Sequence, residues 1–254
     1  MLFDTHAHYD SHKFDADRDA VLSSLPEKGV SLVVDPGCDL ESSAAAIELA
    51  QRYPFLYAAV GVHPEDCADW EDDWADLLRE LAEAPKVVAI GEIGLDYYWK
   101  ENPPRELQQE VFRAQMALAE ALDLPVIVHD REAHGDCMDI VRQFPAVRGV
   151  FHCYSGSAEM AKELVRMGWM ISFTGALTYP NARKAVEAAQ AVPMDRIMIE
   201  TDSPYMAPVP CRGQRCDSSL AVHTCARLAE IKGFSMEECA QITLENGKRF
   251  YKIP

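Results

Sequence analysis

His6 and His8 stand two residues apart where a strand-like run, Leu2–His6, gives way to polar sequence. Side chains along a strand alternate between its faces, so residues two apart share one. Two imidazoles on one face form half of a site for Zn²⁺ or a similar cation, although an isolated H-x-H pair fits ordinary polar packing better. Its company changes the balance. Further apolar runs end in Ala-Ile-Gly-Glu92, Ile-Val-His129, Val-Phe-His152 and Ile-Glu-Thr-Asp202, so five strand ends supply six residues of ligand type. Burying that many ionisable groups together would be costly without a cation to offset their charge. The expectation is a metal centre built from His6, His8, Glu92, His129, His152 and Asp202.

Such a centre needs strands whose ends converge. Short β-branched runs recur at Leu2–His6, Val30–Asp35, Leu56–Gly61, Val87–Glu92, Pro125–His129, Gly149–His152, Met170–Phe173 and Arg196–Glu200. Helical spacing fills the intervals at Asp15–Glu27, Leu40–Arg52, Trp74–Ala84, Pro104–Leu122, Ala133–Phe144, Ser157–Met167 and Asn181–Ala191. Two more helices are expected over Leu220–Lys232 and Met236–Thr243, the second capped by Ser235. Strand starts lie roughly 21 to 38 residues apart, and eight strand–helix units make a (β/α)₈ barrel. A doubly wound sheet is the competing arrangement. It would carry a glycine-rich turn after the first strand, where this chain has His-Ala-His-Tyr-Asp. No linker or low-complexity stretch divides the sequence, so one α/β domain over 1–254 is expected, with the metal site at the C-terminal rim of its strands.

Composition narrows the partners. The chain has 254 residues, 48% of them hydrophobic and 26% charged, which excludes disorder and coiled coil for the whole. A formal charge of −17 repels polyanions on average. A nucleic-acid coat protein is therefore excluded, and any action on nucleic acid must rely on a local positive site of Arg, Lys or metal. Eight cysteines without a C-x-x-C pair read as reduced thiols of a cytoplasmic protein. Met167–Ala182 is interrupted by Gly168, Gly175 and Pro180, so no membrane span is expected, and a signal peptide has no room before His6.

The sequence resembles the TatD family of metal-dependent deoxyribonucleases, within the amidohydrolase-like barrels. The resemblance is carried in order by Phe-Asp-Thr-His-Ala-His (3–8), Gly-Val-His-Pro (61–64), Gly-Glu-Ile-Gly-Leu-Asp-Tyr-Tyr (91–98), Pro-Val-Ile-Val-His-Asp-Arg (125–131), Phe-His-Cys-Tyr-Ser-Gly (151–156), Glu-Thr-Asp-Ser-Pro-Tyr (200–205) and Ala-Pro-Val-Pro-Cys-Arg-Gly (207–213). It implies two divalent cations, Mg²⁺, Mn²⁺ or Zn²⁺, bridged by Glu92. His6, His8 and Asp202 would complete one position, and His129 and His152 the other. It also implies that Asp202 orients or deprotonates a water, that His63 reaches the substrate, and that the substrate is DNA with single-stranded or frayed ends. The family pattern breaks at Arg212-Gly213-Gln214-Arg215-Cys216-Asp217-Ser218, so substrate contacts there are not carried over.

Other residues divide between chemical and structural roles. His63 either serves the reaction or caps a turn before Pro64. Asp4, read as sharing the inward parity of His6, either holds a ligand imidazole or satisfies a buried donor. Arg131 and Arg212 offer charge for a phosphate, or pair with the nearby Glu132 and Asp217. Tyr154 and Ser155 either contact substrate or turn the chain into the next helix. Alternation turns Cys153 toward the helical layer, Cys211 and Cys216 are too few for a structural zinc, and the acidic run Glu71-Asp72-Asp73 reads as a solvated face.

The nuclease expectation competes with a binuclear metallohydrolase acting on an ester, lactone or amide, including an ester on tRNA, and with a scaffold whose metal is structural.

Overall fold

Apolar strands alternating with amphipathic helices satisfy both strand faces only when helices cover a parallel sheet. The computed structural model, which describes residues 1–71 and 73–254, has this arrangement. Asp72 of the acidic run lies outside the described residues. The strands are β1 (Leu2–Asp4), β2 (Val30–Pro36), β3 (Leu56–Val60), β4 (Val87–Asp96), β5 (Val126–Arg131), β6 (Gly149–Phe151), β7 (Met170–Phe173) and β8 (Ile197–Ile199). They pair in parallel in chain order. β8 returns to the β1 side through Thr5 N donating to Ile199 O at 3.2 Å and Asp202 N donating to His6 O at 2.9 Å. An Ala7–Ser203 bridge continues that closure, and the result is a (β/α)₈ barrel, as expected.

The helices are α1 (Arg18–Ser24), α2 (Leu40–Arg52), α3 (Trp74–Ala82), α4 (Arg105–Leu122), α5 (His134–Val141), α6 (Ala158–Arg166), α7 (Arg183–Ala191), α8 (Ala221–Lys232) and α9 (Met236–Tyr251). Ser235 caps α9 as expected, in a reciprocal pair with Glu238. α9 runs two turns beyond the expected Thr243, because its last residues have a structural task at the barrel floor. Phe250, Tyr251 and Ile253 pack beneath an interior layer of Phe3, Val34, Ala59, Ala89, Ile127, Val150, Met170 and Met198. Gly247 permits this approach: a Cβ there would fall 2.6 Å from the Phe3 ring. The other parity of the strands, including Val33, Ala58, Val126 and Ile171, faces the helices. With the N-terminal end filled by hydrocarbon, polar inward residues are left to the opposite rim. Among the described residues no helix is long and apolar enough to cross a membrane.

Candidate metal centre

Each chemical side chain enters the mouth from the end of its own strand. The backbone after β1 carries His6 and His8 inward, held by Ala7 N donating to Val34 O at 3.0 Å and His8 N to Ser203 O at 2.7 Å. β4 passes Glu92 through the mouth and extends to Asp96, four residues beyond its expected end. Gly94 allows that extension to lie against β5. Its φ is +137°, and a Cβ there would meet His129 O at 2.0 Å. β8 ends at Ile199, short of Asp202, which reaches the centre from a left-handed backbone position, φ +60°.

Glu92 sits at the middle, buried, with its two carboxylate oxygens facing different imidazoles. Oε2 lies 3.2 Å from His6 Nε2 and 3.4 Å from His8 Nε2. Oε1 lies 2.7 Å from His152 Nε2, 2.9 Å from His129 Nδ1 and 3.5 Å from His63 Nε2. Asp202 Oδ1 stands on the Oε2 side, 3.8 Å from His6 Nε2 and 3.6 Å from His8 Nε2. All six expected ligands, and His63, thus converge.

The outer edges of the rings decide which nitrogen offers a lone pair. His8 Nδ1 donates to Pro36 O at 3.1 Å, which leaves Nε2 as the acceptor turned to the centre. His129 is reversed: Nε2 donates to Asp96 Oδ2 at 3.0 Å, so Nδ1 faces Glu92. His152 Nδ1 lies 3.4 Å from Glu200 Oε1, and Glu200 is anchored by Cys153 N at 2.6 Å and by the Ser172 hydroxyl. Carboxylates and carbonyls behind imidazoles are the usual supports of metal-binding histidines. His63 differs. Its Nδ1 accepts from Glu65 N at 3.2 Å, so its Nε2 carries hydrogen toward the centre and presents a donor.

Burial pushes the Glu92 carboxyl up, but the imidazoles of His152, His6 and His63 and the hydrogen bond with His129 outweigh it, leaving Glu92 well below the usual carboxylate range. Burial likewise opposes ionisation of Asp202, and hydrogen bonding with His8 and neighbouring imidazoles bring its net shift down. Burial also lowers His6. For His129 burial is overcome by Asp96 and Glu92, which raise it to about 9. Ionised oxygens and imidazole nitrogens, which offer lone pairs once a cation takes the place of their protons, make a buried donor set suited to divalent cations.

Asp96 and Glu200 were not singled out from sequence, although Asp96 continues the two-residue parity of Glu92. Because Asp96 fixes the tautomer of His129, Asp96→Asn is expected to weaken metal affinity about 10- to 100-fold, as calorimetric titration would measure. Asp35 and Asp10 were also missed. Asp35 is fully buried, and burial and the nearby carboxyl of Asp10 push its own carboxyl up. Asp35→Val should therefore raise stability by about 1–3 kcal/mol, read as an increase in Tm.

Two expectations need correction. Phe3, not Asp4, is the inward residue of β1. The Asp4 carboxylate accepts from Thr201 N at 2.8 Å and from the Thr201 hydroxyl, so it satisfies buried donors and holds no imidazole. Cys153 does not follow strand alternation into the helical layer. Its φ of +42° turns the chain, and its thiol lies half-buried beside Thr174, 3.4 Å from the hydroxyl. Tyr154 binds Ser157 O at 2.7 Å and Ser157 caps α6, the structural reading of that turn. Neither Arg131 nor Arg212 makes an ion pair among the described residues; each lies over a tyrosine ring.

Residues 3–252 match the family model described as TatD related DNase. The chain belongs to the TatD family. The metal-dependent hydrolase YabD of Bacillus subtilis, itself described as uncharacterized, is 42% identical over 255 residues, covering all of both chains. A protein of Pectobacterium parmentieri named 3'-5' ssDNA/RNA exonuclease TatD is 33% identical over 264 residues, covering 99% of this chain and 100% of that one. The crystal structure of the TatD homologue YjjV of Escherichia coli superimposes with a TM-score of 0.93 at 33% identity, covering 100% of this chain and 98% of that one. This TatD-family chain is a metal-dependent hydrolase.

Proposed function

We propose that the chain hydrolyses phosphodiester bonds of DNA, removing nucleotides from single-stranded or frayed ends with the help of two divalent cations. The observation that carries this reading is the division of Glu92, one oxygen toward His6 and His8 and the other toward His129 and His152. On this reading His6, His8 and Asp202 would hold one cation, His129 and His152 the other, and Glu92 would serve both. The mixed imidazole and carboxylate donors suit Zn²⁺ or Mn²⁺ by ligand type, and the family resemblance adds Mg²⁺. Bound there, a cation pair would draw charge from the phosphoryl oxygens and make a water more acidic.

The chain's own groups supply the rest. Asp202 Oδ1 orients the attacking water and accepts its proton, a role suited to a carboxylate held ionised. His63 points an Nε2–H at the Oε1 side of the centre and donates to the phosphoryl or leaving oxygen. A site at a barrel mouth admits a strand end more readily than the interior of a duplex. The name of the Pectobacterium relative supports this substrate class, and the eight free thiols support a cytoplasmic setting.

Incubation of the protein with end-labelled single-stranded DNA and Mg²⁺, Mn²⁺ or Zn²⁺ should shorten the label stepwise. Intact DNA with all three ions, or a preference of about 100-fold for carboxylic esters, about 3 kcal/mol in transition-state binding, would overturn the proposal.

A further inference from the structure

An acidic chain that acts on a polyanion needs local features to hold it, and the loop after β4 provides an unusual set. Tyr98 and Trp99 are 50% and 48% exposed, although large aromatic rings are ordinarily buried. Their rings meet edge to face with centroids 4.7 Å apart. Arg131, on the neighbouring strand β5, lays its guanidinium 3.9 Å from the Tyr98 centroid and 5.3 Å from that of Trp99. It makes no ion pair among the described residues. The group is tied to the metal centre at both roots: Tyr98 N donates to Asp96 Oδ1 at 2.9 Å, and Arg131 lies two residues beyond His129. Asp96 in turn holds His129.

Resting on the nuclease reading above, we propose that Tyr98, Trp99 and Arg131 form a stacking subsite for the bases of single-stranded nucleic acid beside the phosphodiester being cut. Aromatic rings accept any base, because every base has a π face, and a cation among them takes the backbone phosphate. A duplex hides its base faces, so the subsite selects unpaired strands without reading sequence. Arg131 is held over the rings by cation–π attraction, which leaves its N–H groups free for phosphate oxygens. The −17 body then disfavours non-specific retention of DNA, while the mouth retains a strand locally.

The test is equilibrium binding of metal-loaded protein to two nuclease-resistant phosphorothioate strands of equal length, one of thymidines and one of tetrahydrofuran abasic units. Both carry the same backbone charge. The thymidine strand should bind about tenfold tighter or more, and the Tyr98→Ala/Trp99→Ala double variant should erase that difference. Trp99→Phe, which keeps a ring, should retain most of it. Arg131→Ala should weaken both strands and reduce the salt slope by about 0.7. Equal affinity of the wild type for the two strands, or an unchanged preference in the double variant, would overturn the subsite. Digestion of labelled DNA alongside either result would leave the nuclease reading standing, whereas absence of digestion strikes that reading itself.

Discussion

Glu92→Gln is expected to lower kcat on single-stranded DNA by about 10³- to 10⁴-fold, or ~4–5.5 kcal/mol of lost transition-state stabilisation, while the protein stays folded. Glutamine keeps the size and planarity of the side chain but replaces one oxygen with an NH₂ group. It cannot accept on both sides, whereas Oε2 of Glu92 faces His6 and His8 and Oε1 faces His129 and His152. The substitution also removes the negative charge that surrounding imidazoles stabilise. The fold should tolerate it because neutral imidazoles can hydrogen-bond an amide, and the barrel floor beneath is hydrocarbon. Circular dichroism and Tm would confirm the folded state. A loss of turnover with a retained fold also excludes a purely structural metal.

Removal of metal is the second large effect. Dialysis against a chelator should reduce hydrolysis to below about 1% of the loaded rate, and return of Mn²⁺, Mg²⁺ or Zn²⁺ should restore it. Stability should change in the same direction. A cation that binds only the folded chain and is present at 100 times its Kd contributes about 2.7 kcal/mol. For a chain of this length that is roughly 5–10 °C in Tm. Asp96→Asn should reach the same restored rate only at higher metal concentration, because its effect is on how His129 is held.

The strand ends were legible in sequence because ligand-type residues interrupt apolar runs where a barrel changes from hydrocarbon interior to polar rim. His6, His8, Glu92, His129, His152 and Asp202 all carry that signal. The supports behind them carry it more weakly. Asp96 lies four residues after Glu92, on the same parity, but only Gly94 lets β4 extend that far. Glu200 looked like the last residue of a strand, and its role depends on Ser172 and Cys153 from other segments. Cys153 and Asp202 adopt positive φ, so period-two alternation predicts neither side chain's direction, although Asp202 still reaches the imidazoles of His6 and His8. Which nitrogen of each imidazole faces inward depends on Pro36 O, Asp96 and Glu65 N, contacts that no local pattern encodes. Asp35 closed a β-branched run and looked like an ordinary strand end, while its burial beside Asp10 is tertiary.

Anomalous diffraction from crystals grown with Mn²⁺ or Zn²⁺ tests the central claim most directly. Two peaks are predicted, one on the Oε2 side of Glu92 near His6, His8 and Asp202, the other on the Oε1 side near His129 and His152. A single peak, or peaks that make no contact with Glu92, would contradict it.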